Sequence, residues 1–171
     1  MSALPRVSAV TRERAAREFD DRGPEVCRAE ITRELEANNP ELLDMARRCA
    51  RDVGDFTRIM TGFCMFYRLL NLEAQAAIAA LPGNAERYAL TLLPRVSPQT
   101  RREIVGRIDA AGAEAFTRDA IVALERNNPE LLIMGHQFAE DQPDYVGVMQ
   151  GFALLYASLV AQAAQERGTV H

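Results

Sequence analysis

The phrase NNPELLDMA, Asn38 to Ala46, returns as NNPELLIMG from Asn127 to Gly135. Laying Asn39 on Asn128, an offset of 89 residues, extends the match in both directions without a gap. Leu4-Pro-Arg-Val-Ser8 falls on Leu93-Pro-Arg-Val-Ser97, Thr11-Arg12 on Thr100-Arg101, Gly23 on Gly112, and Leu35-Glu36 on Leu124-Glu125. Downstream, Asp52 meets Asp141, Asp55 meets Asp144, Met60 meets Met149, Gly62-Phe63 meets Gly151-Phe152, and Tyr67 meets Tyr156. The chain therefore reads as tandem copies over residues 4–78 and 93–167, units of about 75 residues. Two such copies are too few for a solenoid, whose repeats run from about 20 to 50 residues. A two-fold homodimer fused into one chain fits better. The expected division is copy 1 in 1–80, a linker with a short helix in 81–92, and copy 2 in 93–171, the copies sharing one core.

Each copy reads as four helices. The first opens at Ser8 or Ser97, good N-caps, and stops at Gly23 or Gly112. Cys27, Ile31 and Leu35 then stripe the second helix, as Phe116, Ala120 and Leu124 do in the other copy. In the repeated phrase, Asn38 suits the left-handed residue that ends helix two and Asn39 the cap of helix three. Pro40 takes the first helical position, and Glu41 faces the positive end of the dipole. Asp55 or Asp144 is expected to cap a long fourth helix. Its seam runs through Phe56, Ile59 or Met60, Phe63, Tyr67, Leu70 and Ala74, matched by Tyr145, Val148 or Met149, Phe152, Tyr156, Leu159 and Ala163. Gly62 and Gly151 sit inside these helices, each costing about 1 kcal/mol against Ala, which predicts another backbone packed close by. No segment alternates with period two, so the expected fold is all-α: a pseudo-two-fold bundle with the fourth helices side by side.

Composition narrows the function. A net charge of −4 and a pI near 5.3 lack the footprint of nucleic-acid binding. All 20 basic residues are Arg, which reads as coding bias in a GC-rich bacterial genome and removes Schiff-base and Walker-lysine chemistry. Three cysteines without a CxxC pair point to a reducing cytosol, with no zinc site. The N-terminus shows no apolar signal region. The uncharged stretch from Val146 to Ala164 reads as a buried helix rather than a membrane span.

The chemistry-bearing residues are few. Cys27, Cys49 and Cys64 correspond to Phe116, Phe138 and Ala153, so they read as core. His136 and Glu140 have the spacing of a metal pair but no further histidine beside them, and Asp52 with Asp141 is a weak cation candidate without enough oxygens. No metal or cofactor is expected. Met60, Phe63, Tyr67, Met149, Phe152 and Tyr156 form the richest apolar and aromatic set; core packing is favoured, with a ligand cavity between the fourth helices as the sharper alternative. The copies differ most visibly at Arg47 and His136. The leading expectation is a cytosolic, non-enzymatic helical protein that binds another protein as adaptor or regulator, with room for a further homodimer and no nucleic-acid or membrane partner. The alternative is a bundle binding a small apolar or aromatic ligand, and an enzyme using His136 with Glu140 or Asp141 ranks third.

Overall fold

A computed structural model describes residues 6–79 and 95–169; Leu4, the 81–92 linker and His171 lie outside the described residues. Eight helices and no strand are present among the described residues: α1 Ala9–Arg22, α2 Pro24–Asn38, α3 Pro40–Cys49, α4 Val53–Ala79, α5 Pro98–Ala111, α6 Ala113–Asn127, α7 Pro129–Phe138 and α8 Gln142–Thr169. The chain is all-α. The helices of the second set start 89 residues after their counterparts in the first.

Local chemistry explains most boundaries. Ser8 Oγ accepts from the Thr11 N–H at 3.3 Å, and Ser97 Oγ from the Thr100 N–H at 3.1 Å. Gly23 and Gly112 have φ of +87° and +89° and return their N–H groups to Phe19 and Ile108. Such φ values are cheap only for glycine.

The repeated phrase works differently from its sequence reading. Asn38 remains helical, the chain turns at Asn39 (φ −143°, ψ 58°), and the Asn39 side chain does not cap α3. Its backbone carbonyl already accepts the Leu42 N–H, so the side-chain amide is free to act elsewhere. Asn39 Oδ1 accepts from the Val96 N–H at 2.7 Å, and Asn128 Oδ1 from the Val7 N–H at 2.8 Å. Both asparagines are buried. Each corner thereby holds the extended segment before the first helix of the other set.

A second correction lies three residues apart. Asp52 and Asp141, not Asp55 and Asp144, cap the long helices: their Oδ1 atoms accept the N–H groups of Asp55 and Asp144 at 2.8 and 2.9 Å. Asp55 instead accepts from the Arg51 backbone and guanidinium, at 3.2 and 2.8 Å. The Arg51 side-chain bond is the main reason its carboxyl is held below the usual range.

The core is centred on α4 against α8, the most extensive helix pair. A Cβ on Gly62 would lie 2.3 Å from the Val148 carbonyl oxygen, and one on Gly151 the same distance from that of Ile59. The two backbones touch, as the retained glycines predict. Beside this crossing, the aliphatic stem of Arg58 lies where a Cβ on Gly147 would be, 2.3 Å from Arg58 Cβ. Its Nε then reaches Asp144 at 3.1 Å and its Nη1 reaches Asp55 at 3.3 Å. Positions 58 and 147 correspond at the 89-residue offset, so one arginine fills the gap left by one glycine.

The short helices pack crosswise, α1 on α7 and α3 on α5. Arg12 pairs with Glu130 at 2.8 Å and Arg101 with Glu41 at 3.8 Å, while Arg101 also reaches Asp44. Phe19 packs on Phe138 with ring centroids 5.5 Å apart. By length and composition α8 is apolar enough to cross a membrane, but 72% of that window is buried against the other helices.

Candidate functional site

The expected six-residue apolar site is not assembled. Met60, Phe63, Met149 and Phe152 are buried where α4 meets α8, and the backbone contact at Gly62 and Gly151 leaves no space for a ligand between the helices at that level. Tyr67 and Tyr156 do not meet across the helix pair. Tyr67 donates its hydroxyl to Glu34, and Tyr156 accepts from Asn127 Nδ2 at 3.4 Å. Phe66, outside the seam read from sequence, supplies the central aromatic contact, edge-on to Phe152 at 5.7 Å.

Arg47 and His136 each lie against a separate aromatic ring. The Arg47 guanidinium stands 5.9 Å from the Phe56 ring centre, and His136 stacks on Tyr145 at 4.0 Å. Each covers the ring at the start of its own long helix, so their different chemistry serves one structural purpose. Glu140 lies on the rim of a groove described below, and Asp52 and Asp141 are occupied as caps. Among the described residues no group of three or more His, Cys, Asp or Glu side chains is arranged to hold a metal.

Among the described residues the fold builds two pairs of grooves, the members of each pair at corresponding positions in the two sets of helices. Between α1, α2 and α4 lies a groove of about 180 Å³; between α5, α6 and α8 lies its counterpart of about 130 Å³. A tyrosine, Tyr67 or Tyr156, lines each one. Elsewhere the lining changes character: Cys27 against Phe116, Glu34 against Ala123, Arg68 against Ala157, Asn71 against Val160. The first groove is polar because its charges are held in pairs. Arg68 grips both oxygens of Glu18 at 2.7 and 2.9 Å, Arg22 pairs with Glu30, and Glu34 accepts from Tyr67. The Arg68 bond holds the Glu18 carboxyl below its usual range. Burial, then the Glu34 carboxylate, pushes the Tyr67 phenol above its own. In the second groove Phe116 fills the space, with the Arg107 guanidinium 5.4 Å from its ring centre.

The other pair of grooves runs between the two sets. One, of about 500 Å³, has Phe19, Arg28, Thr61 and Phe138 in its wall. Its counterpart, with Ile108, Thr117, Gln150 and Cys49 at the corresponding positions, is closed to about 10 Å³. Carboxylates dominate the larger rim: Asp20, Glu25, Glu140 and Asp144 against Arg28 and Arg58. Both guanidiniums are engaged, Arg28 with Thr61 Oγ1 at 3.1 Å and Arg58 with Asp55 and Asp144. Both charged grooves thus flank α2, whereas their counterparts around α6 are smaller and lined mostly by apolar groups. Comparing α2 with α6 letter by letter carries a trace of this, since Cys27, Arg28 and Glu34 replace Phe116, Thr117 and Ala123. No protein family, curated protein or solved structure matches this chain.

Proposed function

We propose that the chain is a fused pseudo-dimer, copies 1–80 and 93–171 about a pseudo-two-fold axis between α4 and α8, acting in the bacterial cytosol as a non-enzymatic protein-binding module. The carrying observation is the pairing of grooves: corresponding positions, matching helices, different linings. A fold needs its frame in both copies, and the grooves beside α2 are larger and richer in charged side chains than those at the corresponding positions beside α6. The acidic rim of the larger groove, with its two arginines already engaged, suits a partner segment that presents basic side chains.

The test is affinity capture from the source cells with the wild type and with the charge-reversed pair Asp20→Arg/Glu25→Arg. Both residues are exposed, and circular dichroism first checks that the variant keeps its helical fold, because Glu25 sits in the first turn of α2. The expected result is a partner held by the wild type, released by raised salt and lost by at least tenfold with the variant. Identical recoveries by both proteins would exclude this surface, and no specific partner at all would count against the reading.

A further inference from the structure

Two of the three cysteines share one place. α2 packs on α4, and Cys27 on α2 and Cys64 on α4 line the same 180 Å³ groove between them. Cys64 is 5% exposed, and Cys27 lies nearer the surface. Arg22 and Arg68 line the same groove. Asn71 lines it as well, and its Oδ1 is buried without a hydrogen-bond partner. A polar void of this size admits water or a similarly small polar molecule. At the corresponding positions stand Phe116, which lines the other groove, and Ala153, which is buried in the core. Cys49 belongs to the closed groove beside Ile108 and Phe116, away from the pair.

We propose that Cys27 and Cys64 form a redox-responsive dithiol, which a peroxide oxidises to a disulfide that ties α2 to α4 across this groove. The sulfur of Cys27, the more accessible, attacks one peroxide oxygen as its thiolate; the O–O bond breaks, the departing hydroxide takes up the thiol proton and leaves as water, and Cys27 becomes a sulfenic acid. The Cys64 sulfur then attacks the Cys27 sulfur, an S–S bond forms, and hydroxide leaves with the Cys64 proton as a second water. Two electrons pass from the two sulfurs to the peroxide. Cys64 is the more buried of the two, so the more exposed Cys27 meets the peroxide first. The proposal concerns this groove alone and stands whether or not the protein-binding reading holds.

The experiment uses the intact wild-type chain, freed of reductant. It is treated with hydrogen peroxide under native conditions, its free thiols are blocked with an alkylating agent, and its peptides are analysed by mass spectrometry. The expected product is a peptide pair joined through Cys27 and Cys64, two hydrogens lighter than the reduced pair and separated by dithiothreitol, with Cys49 alkylated. Cys49→Ser gives the same pair. The idea is overturned if Cys27 and Cys64 both remain alkylatable, if Cys27 proceeds to sulfinic acid without a cross-link, or if the linkage involves Cys49.

Discussion

Gly62→Ala is expected to destabilise the protein by about 3 kcal/mol or more, the upper end for overpacking, whereas Gly106→Ala stabilises it by about 0.5–1 kcal/mol. Both glycines lie inside helices, so intrinsic propensity favours alanine equally at each. The difference is tertiary. A Cβ at Gly62 would lie 2.3 Å from the Val148 carbonyl oxygen and 3.2 Å from the Phe152 nitrogen, so α4 and α8 must move apart. Separation loosens Phe63, Phe66 and Phe152, which are almost fully buried at this contact. At Gly106 nothing lies within 4 Å of the added methyl. Urea unfolding monitored by circular dichroism reads both effects as shifts in midpoint at unchanged slope. A Gly62→Ala protein as stable as the wild type would contradict the backbone contact.

The second large effect is at the asparagines of the repeated phrase. Asn39→Ala and Asn128→Ala are each expected to cost about 1–3 kcal/mol, because a buried N–H, of Val96 or Val7, loses its acceptor. The double variant is expected to lose about 2–6 kcal/mol on the same basis. Asn39→Ser separates this account from simple capping. Serine is a sound N-cap, so it would restore stability if Asn39 served α3 alone. Its shorter side chain is not expected to reach Val96, and the serine variant therefore melts close to the alanine one.

These two sites mark what was legible in the sequence. The helices, their glycine stops and the close approach at Gly62 and Gly151 could be read because each rests on local rules or on a cost kept at both positions. The long-range duty of Asn39 could not, since a residue that suits a cap also suits an acceptor for a distant backbone, and only the tertiary fold selects between them. Asp52 and Asp55 exchanged roles because one turn of helix separates them and either carboxylate satisfies a capping pattern. Tyr67 and Tyr156 belong to the apolar run of their helices, yet their hydroxyls turn toward partners on α2 and α6. The grooves were the least legible feature. Their lining comes from three or four helices, and a difference such as Arg68 against Ala157 acquires meaning only once those helices are in place.

The fused pseudo-dimer proposed above requires that the two halves complete one another. Arg58 lies over Gly147 and joins Asp55 to Asp144. A symmetric pair of first halves would set arginine against arginine at this crossing. A symmetric pair of second halves would leave a gap and no guanidinium between the two Asp144 carboxylates. The direct measurement is to produce residues 1–80 and 93–171 separately and follow their helicity and mass alone and mixed. The account predicts that each half alone is weakly helical or poorly associated, and that mixing yields a helical 1:1 complex with a single cooperative unfolding transition. Two halves that each fold cooperatively as monomers, with no change on mixing, would contradict it.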